Sequence, residues 1–377
     1  MPERERDPFG DVPVFGSNGI VGYHNKALTS GPTVIIGRKG TIGAVHFVQK
    51  GCWPIDTTFF VIDQDPEILR FKYYLLKSLD LEHMNADNAV PGLNRDAAHA
   101  CKICVPPIAE QRAIVHILGT LDDKIELNRR MNETLEQMAR AIFKAWFVDF
   151  EPVRAKMEGR WKKGQSLPGL PAHLWDLFPD RLVDSELGKI PEGWEVGTLG
   201  NLAEVTSGKR PSEIFSEASS TAAIPLWGGN GPMGYVAEPL FTKPIILTGR
   251  VGTLGLVFRI SNPCWPSDNT LIVIPYTERA LEYLYFCMKS FDFEALNRGS
   301  TQPLITQTDL KNQNLLITPD DVLYEFHRHV TDCFKKIDRA NNESYTLTTL
   351  RNALLPKLIR GEIRVKDAER FLKERGL

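Results

Sequence analysis

The sequence lacks the features of secreted, membrane-spanning and disulfide-rich proteins. It has no run of about 18 apolar residues, which a membrane-spanning helix needs, and its first residues, MPERERDPF, are too polar for a signal peptide. Six cysteines in 377 residues are too few for a disulfide scaffold. Cys101 and Cys104 form a CxxC pair without a second pair at zinc-ligand spacing, and their surroundings, KICV before two prolines, indicate a strand. We expect a reduced, cytoplasmic protein that binds no metal and spans no membrane.

The sequence also lacks an excess of charge of either sign. Its 45 Lys and Arg residues nearly balance its 47 Asp and Glu residues, which gives a net charge of −2. A small protein that coats DNA is usually far more basic, so any DNA-binding surface must be local. With 42% hydrophobic residues, the chain has a globular composition and enough length for two or three domains.

Motifs that carry catalysis are missing as well. The sequence contains no GxxxxGK[ST] nucleotide loop, no [DN]PP[YF] methyltransferase motif and no HExxH zinc motif. Glu186 and Lys189 have E-x-x-K spacing, whereas a metal-dependent nuclease needs E-x-K with two carboxylates on one metal. Asp56, after a Cys-Trp-Pro triplet, is either a catalytic acid or, as we favour, a core corner whose carboxylate accepts backbone hydrogen bonds. We expect a chain that is non-catalytic by itself; an enzyme with an unrecognised site in a β-rich part is the less favoured interpretation.

The most informative feature that is present is an internal repeat at a constant offset. Residues 12–62 align with residues 224–274 without a gap, and 21 of the 51 positions are identical. Each copy begins with short β-like runs broken by Gly, Pro and Asn, continues with a short helix and ends in a long helix. The chain is therefore two copies of one unit that has a β-rich part followed by a helical part.

A glycine-rich loop marks the same place in both copies, as GRKGTIG at 37–43 and GRVGTLG at 249–255. A dinucleotide-binding loop joins a strand to a helix, because the helix N-terminus receives the pyrophosphate. These loops lie between two strand-like runs, which indicates a hairpin turn instead. Arg38 recurs as Arg250, whereas Lys39 is replaced by Val251, so the arginine is the better candidate for a general phosphate contact.

Each long helix carries a heptad pattern of mostly apolar residues on one face. The pattern steps by four and three positions through residues 110–147 and again, at the offset of the repeat, in the second copy. Such a helix can be the core helix of a globular domain, but its length, its polar outer faces and its recurrence favour a two-helix coiled coil. The predicted seam between the helices contains Ile114, Leu118, Leu121, Ile125, Leu135, Ile142, Phe326, Val330, Ile337, Leu347 and Leu354.

Several stretches together resemble the specificity subunit of type I restriction-modification systems. They are FGSNGIVGYH, GRKGTIG, CWPIDTTFFV, LPAHLWDLFPDRLVDSELGKIPEGWEV, LLPKLIRGEIRV and, as the most specific, the segment from PPIAEQRAI to FVDFEPV. The resemblance implies that two target-recognition domains each read one half of a bipartite DNA site. It also implies an antiparallel coiled coil that spaces them and docks two methyltransferase subunits, which restriction and translocase subunits then join. S-adenosylmethionine, ATP and Mg²⁺ would belong to those partner subunits.

The resemblance implies an α+β fold in which two β-rich target-recognition domains are joined by two long antiparallel helices, as a pseudo-twofold repeat. The expected boundaries are 1–107 for the first domain, 108–150 for the first spacer helix, 151–192 for a linker packed along the helices, 193–319 for the second domain, 320–360 for the second spacer helix and 361–377 for a C-terminal tail.

The first copy departs from the second at its beginning. Residues 193–211, which open the second domain, have no counterpart at the same offset, so the first domain lacks an opening strand and loop. A misplaced start, a fragment, or replacement by the C-terminal VKDAERFLKERGL are three explanations that the sequence leaves open. An unpaired sheet edge in the first domain would promote aggregation.

The two copies also suggest how DNA contacts divide. Residues shared by both copies are candidates for the framework or for phosphate contacts, and polar positions that differ are candidates for reading bases, since Arg pairs with guanine and Gln or Asn with adenine. The candidates are Ser17, Asn18, Tyr23, His24, Arg38, Lys39, Asn94, Arg95, Lys209, Arg210, Asn230, Tyr235, Arg250, Arg298, Thr301, Gln302, Thr306 and Gln307. For each, a solvated loop residue is the alternative; for the whole chain, the alternative is a pseudo-symmetric adaptor that binds proteins and not specific DNA.

Overall fold

A computed structural model describes residues 2–84, 92–299 and 301–367. The chain divides into two compact units, one containing residues 1–129 with 341–377 and the other containing residues 130–340. The division falls within both long helices, α3 (Ile108–Phe147) and α8 (Asp320–Ile359). Each unit therefore holds one β-rich module and one half of each long helix.

The described residues of module 1, the β-rich part of the first unit, form two small sheets and two short α-helices. Its elements are β1 (Val12–Gly16), β2 (Gly19–His24), β3 (Thr33–Gly37), β4 (Val45–Val48), β5 (Trp53–Pro54), β6 (Thr58–Val61), α1 (Pro66–Lys77) and α2 (Arg95–His99). One sheet has the order β2-β1-β5 and the other has the order β4-β3-β6. β5 runs parallel to β1, and the other pairs are antiparallel.

The second unit begins with a linker and continues into module 2. After α4 (Glu151–Met157) the chain forms β7 (Leu182–Ser185), β8 (Gly188–Pro191), β9 (Glu195–Thr198), α5 (Leu199–Leu202), β10 (Ala203–Ser207), β11 (Ile224–Gly228), β12 (Gly231–Val236), β13 (Ile245–Gly249), β14 (Val257–Ile260), β15 (Trp265–Pro266), β16 (Thr270–Pro275), α6 (Leu281–Lys289), α7 (Gln307–Lys311) and β17 (Asn314–Ile317). The sheets have the orders β12-β11-β15, β10-β16-β13-β14, β17-β9 and β7-β8.

The internal repeat is confirmed at the level of single elements. Strands β1 to β6 begin at the positions that align with the first residues of β11 to β16, and α3 begins and ends at the positions that align with the ends of α8. Even the irregularity in the first hairpin recurs, between Val14 and Phe15 in module 1 and between Leu226 and Trp227 in module 2. Shared glycines and prolines therefore encode one backbone framework twice.

The modules differ at one edge of the larger sheet. In module 2, β10 pairs with β16, and β9 pairs with β17. In module 1, no strand of the described residues pairs with the outer edge of β6. The expected strand at residues 102–105 is wrong: these residues form no strand, and no described strand of module 1 pairs with them as β9 pairs with β17 in module 2.

The Cys-Trp-Pro corner also differs from the expectation for Asp56. Asp56 and its counterpart Asp268 are exposed, so the carboxylate is not a buried acceptor. A threonine hydroxyl closes the corner instead: Thr58 Oγ1 donates to the Ile55 carbonyl at 2.7 Å, and Thr270 Oγ1 makes the equivalent bond at 2.7 Å.

In the first unit, the two helix halves pack against each other and against α1. Asp122 on α3 accepts hydrogen bonds from Tyr74 on α1 at 2.7 Å and from Arg351 on α8 at 2.6 Å. Asn128, which is fully buried and lies further along α3, donates to Glu343 at 2.7 Å. Because the later α3 residue contacts the earlier α8 residue, the two helix halves run antiparallel in this unit.

In the second unit, aromatic side chains dominate the core around the other helix halves. Trp146 lies 6.2 Å from Phe326 and 5.3 Å from Phe178, measured between ring centroids. The linker contributes Trp161 and Leu174, both fully buried, to the same core. The expectation that the linker packs along the helices rather than extending into solvent is confirmed within this unit.

Most residues of the predicted helix seam are buried in one of the two units. Ile114, Leu118, Leu121, Leu347 and Leu354 are buried in the first unit, with Ile125 packed against them. Phe326 and Val330 are buried in the second unit, with Ile142 and Ile337 packed against them. Leu135 is half-buried.

Among the described residues, no helix is both long and apolar enough to cross a membrane.

Candidate nucleic-acid interface

The GRKGTIG loop is a hairpin turn between β3 and β4, as its sequence context indicates. Gly37 N–H donates to the Ala44 carbonyl at 2.8 Å, and Gly43 N–H donates to the Gly37 carbonyl at 2.9 Å. Gly40 has a φ of +80°, and its counterpart Gly252 has a φ of +81°. A residue with a side chain is strained in this conformation, which explains why glycine recurs at this place.

In module 1, backbone hydrogen bonds bring the glycine loop next to the segment that opens α2. The N–H groups of Arg38 and Lys39 donate to the Thr57 carbonyl at 2.9 and 3.2 Å, and Leu93 N–H donates to the Arg38 carbonyl at 2.8 Å. The next residues are Asn94 and Arg95. Two pairs of candidates that are far apart in sequence, Arg38 with Lys39 and Asn94 with Arg95, therefore lie at one end of the sheet. All four residues are exposed.

Module 2 builds the same arrangement with different side chains. Arg250 N–H donates to the Asn269 carbonyl at 2.9 Å, and Ile305 N–H donates to the Arg250 carbonyl at 2.9 Å. Exposed Gln302 adjoins the loop, since its side-chain nitrogen lies 3.9 Å from where a Cβ on Gly252 would lie.

The shared arginines have the same backbone position and different side-chain partners. Arg38 is exposed, and its guanidinium lies 5.3 Å from the ring centroid of Phe59. Arg250 is half-buried, and its guanidinium lies 3.5 Å from Ser207 Oγ on β10. Gln307 also donates to Ser207 Oγ, at 2.8 Å. The described residues of module 1 include no counterpart of Ser207, and Arg38 packs on an aromatic ring.

Several candidates already have a role within their own module. Ser17 is buried and donates to the Thr57 carbonyl at 2.6 Å. Asn94 and Thr306, which are counterparts, are the N-cap residues of α2 and α7. Arg298 forms an ion pair with Asp309 at 2.8 Å. Their contacts with DNA stay a prediction, and each contact would add to or compete with a bond that the fold uses.

The Arg298–Asp309 pair supports the same N-cap. Hydrogen bonds from Arg298 and then from Thr306 lower the pKa of Asp309 below its ordinary value. Thr306 and Asp309 bond reciprocally, as a capping box. Arg298 and Thr306 therefore both bond to Asp309, which ties these two residues before α7 to the first turn of that helix.

Three other candidates, Tyr23, His24 and Tyr235, lie away from this end of the modules. Tyr23 and His24 pair with Pro13 and Val12, at the opposite end of the β1–β2 hairpin from Gly16 and Gly19. Tyr235 has the equivalent place in module 2. Asn18 and Asn230, both exposed, lie at the hairpin tips beside the glycine loops. The structure thus separates the tyrosines and His24 from the loop candidates.

The remaining candidates belong to module 2 alone. Lys209 and Arg210 are exposed and follow β10, and Lys209 N–H donates to the Pro266 carbonyl at 3.0 Å. Thr301 is exposed in the loop before α7. Ser207 is the polar residue that sequence comparison missed. It lies in a segment without a counterpart in the first copy, so the repeat held no signal for it.

One group among the described residues brings three potential metal ligands together. Asp80, Glu82 and His83 are all exposed, and His83 Nδ1 lies 2.7 Å from Asp80. This hydrogen bond raises the pKa of His83. An exposed ion pair accounts for this arrangement without a metal.

Comparison with known proteins places the chain in a family. The family model for the type I restriction modification DNA specificity domain matches residues 2–137 and 191–343. The HindI specificity subunit of Haemophilus influenzae is 27% identical over an alignment 413 residues long. The alignment covers 91% of this chain and 89% of that protein. The MjaIX specificity subunit of Methanocaldococcus jannaschii is 25% identical over 370 residues, which cover 89% and 78%.

A solved structure supports the same fold. The S subunit of a type I restriction-modification system from M. genitalium superposes with a TM-score of 0.53 at 19% identity, over 95% of this chain and 91% of that one. Because the family model matches more than half of the chain, in two segments that each contain one β-rich module, the chain belongs to the family of type I restriction-modification DNA specificity proteins.

Proposed function

We propose that this chain is the DNA sequence-recognition subunit of a type I restriction-modification complex and reads a bipartite, asymmetric site. The observation that carries the proposal is the recurrence of one β framework with different exposed polar side chains at one end. Each framework presents a shared arginine, Arg38 or Arg250, beside a segment whose polar residues differ between the modules. Two similar modules with different loops suit two different half-sites.

In this proposal the shared arginines contact phosphates and the variable residues read bases. Phosphate contacts fix the register of a protein on the duplex and carry no sequence information. Lys39, Asn94 and Arg95 in module 1 differ from Val251, Thr306 and Gln307 in module 2, so they supply different donors to base edges.

The long helices would set the distance between the half-sites. Each has 40 residues, which corresponds to about 60 Å of helix, and half-sites one turn of DNA apart need about 34 Å. Antiparallel packing within the first unit and the apolar seam in both units support a coiled coil. Asn128, donating to Glu343, would fix its register.

The chain is not an enzyme by itself in this proposal. Two methyltransferase subunits would dock on the helices, and restriction and translocase subunits would complete the assembly. S-adenosylmethionine, ATP and Mg²⁺ would be bound by those partners. A pseudo-symmetric protein adaptor without specific DNA binding is the alternative, and family membership favours the recognition subunit.

Co-expression with a methyltransferase subunit of a type I system, followed by affinity purification and methylome sequencing, tests the proposal. We expect one methylated motif with two specific halves and a spacer of fixed length. A complex that forms but methylates no motif would favour the adaptor. The methyltransferase subunit expressed alone is the control for background methylation.

A further inference from the structure

One hydroxyl group in module 2 joins three segments that are far apart in the sequence. Ser207 is the last residue of β10, and its Oγ accepts hydrogen bonds from Gln307 Nε2 at 2.8 Å and from Arg250 Nη1 at 3.5 Å. Gln307 is the first residue of α7, and Arg250 belongs to the glycine loop. The hydroxyl therefore connects the shared arginine to a polar residue that differs between the modules.

The shorter of these bonds joins two residues whose backbones are fixed. Ser207 pairs with Leu271 in the ladder between β10 and β16. Gln307 begins a helix whose start is closed by the capping box of Thr306 and Asp309. The side chain of Gln307 is exposed, and a long exposed side chain samples several rotamers unless a bond selects one of them. The bond to Ser207 makes that selection.

The bond to Ser207 leaves Gln307 able to recognise adenine. A glutamine amide has two N–H groups and one carbonyl oxygen, and it pairs with adenine by donating to N7 and accepting from the N6 amino group. Ser207 engages one N–H group, and within the described part of the chain the other N–H group and Oε1 have no hydrogen-bond partner. An amide that is anchored in this way still offers one donor and one acceptor to the same base edge.

We propose that Ser207 is a positioning residue that holds the Gln307 amide for a bidentate contact with an adenine in the half-site that module 2 reads. The inference rests on the proposed function, because it requires this end of the module to face DNA. Arg250, the phosphate contact in that function, donates to the same hydroxyl, so Ser207 links the register on the duplex to the reading of a base.

This device belongs to module 2. Arg95 stands at the position of Gln307 in module 1, and the described residues of module 1 include no counterpart of Ser207. Arginine pairs with guanine rather than with adenine. The two modules therefore differ in the base that this position favours and in how the reading side chain is held.

Methylome sequencing of the reconstituted complex, with titrations of duplexes changed at single positions, tests the inference. We expect Gln307→Ala to relax the second half of the motif at one position, which is an A·T pair in the unmodified motif. Ser207→Ala should relax the same position, because the amide is no longer held in one rotamer. The preference for adenine there should fall from about tenfold to about threefold or less, and the other positions should keep their bases.

Three further variants separate positioning from a purely structural role. Ser207→Thr keeps a hydroxyl and should keep the preference for adenine. Ser207→Ala combined with Gln307→Ala should relax the position no further than Gln307→Ala alone, because the serine acts through the glutamine. Ser216→Ala should leave the motif unchanged, since this exposed serine follows Phe215, whose partner Tyr235 lies at the opposite end of the β11–β12 hairpin from its tip.

A full preference for adenine in Ser207→Ala would overturn the inference and leave the proposed function standing. The same holds if Gln307→Ala relaxes no position, if the relaxed position is a G·C pair, or if Ser207→Ala weakens both halves of the motif equally. If the unmodified complex methylates no motif, the proposed function fails, and this inference fails with it.

Discussion

Arg38 and Arg250 show how one residue can keep its position while its surroundings change. The same two backbone hydrogen bonds fix each arginine. Its N–H donates to the carbonyl of the residue before a shared threonine, Thr57 or Asn269, and its carbonyl accepts from the N–H of Leu93 or Ile305. Their side chains meet Phe59 in module 1 and Ser207 in module 2. Both environments permit a general phosphate contact, because in each module the guanidinium stays beside the glycine loop.

We predict that Arg38→Ala and Arg250→Ala each weaken binding to specific and random duplexes alike. Each lost phosphate contact should reduce the slope of log K against log salt by about 0.9. Titrations at several salt concentrations measure it. Lys50→Ala and Lys243→Ala are matched controls, because both lysines lie at the opposite sheet end from the arginines. Unchanged affinity in both arginine variants on both duplexes would remove the assignment.

At the scale of elements, α2 and α7 depend on side-chain caps. Asn94 Oδ1 accepts from the N–H groups of Asp96 and Ala97 at 2.8 and 3.1 Å, and Thr306 Oγ1 accepts from Asp309 N–H at 3.1 Å. These five-residue helices have few hydrogen bonds of their own, so the cap is a large part of what holds them.

We predict that Asn94→Ala and Thr306→Ala each lower the free energy of unfolding by about 1 kcal/mol, whereas Asn94→Ser and Thr306→Ser change it little. Denaturant titration measures the stability, and DNA binding is measured on the same variants. If Asn94→Ser keeps its stability and changes the preference for the first half-site, the amide contacts DNA directly. Equal losses in the alanine and serine variants would contradict the capping role.

The contact between the two long helices should depend on pH through Glu343. A hydrogen bond from Asn128 holds the pKa of Glu343 below its ordinary value. A carboxylate with a lowered folded pKa contributes stability above its unfolded pKa of about 4.3 and loses that contribution as the pH falls through the folded pKa. The half-exposed position of Glu343 and solvent screening keep the effect small.

We therefore predict that Glu343→Gln is less stable than the unmodified chain at pH 7 and that the difference shrinks towards pH 3. Urea titrations at both pH values test it, with Asp332→Asn, an exposed change on α8, as the control. A difference that grows with acidification would show that the carboxylate is not stabilised by this bond.

The sequence allowed long elements to be predicted better than short or partnered ones. α3 and α8 follow from a heptad pattern that persists over many turns, and the hairpin at Gly37–Gly43 follows from its flanking strands. The α2 and α7 helices carry no periodicity, so only their caps could have indicated them. The parallel pairing of β5 with β1 depends on residues about 40 positions apart, and local sequence does not encode it.

The candidate site could be predicted only in part, because local sequence does not show which residues the fold brings together. Arg38 is a candidate because it recurs in the second copy, and its contact with DNA stays a prediction. The ion pair of Arg298 could not be predicted in this way, because it depends on Asp309, which a turn of the chain brings next to it. The strand at 102–105 was wrong because its sequence suits a strand but its partner is absent from the described residues. Strand formation is a property of pairs, and one sequence segment cannot show whether its partner is there.

At the scale of the whole molecule, the two modules should be independent readers. Each belongs to a different compact unit, and sites that do not contact each other usually act additively. We predict that Gln302→Ala changes only the half of the methylated motif that module 2 reads. Methylome sequencing of the reconstituted complex measures this, with Thr221→Ala, an exposed change elsewhere in module 2, as the control. Altered bases in both halves would refute independence.

The division of both long helices between the units has a consequence for biosynthesis. Residues 130–340 are contiguous, so the second unit can be completed as soon as they leave the ribosome. The first unit cannot, because the core beneath Phe71 and Tyr74 includes Leu347 and Leu354. The module that is translated first is therefore completed last. Its helical core stays exposed to solvent until Leu347 and Leu354 have been synthesised.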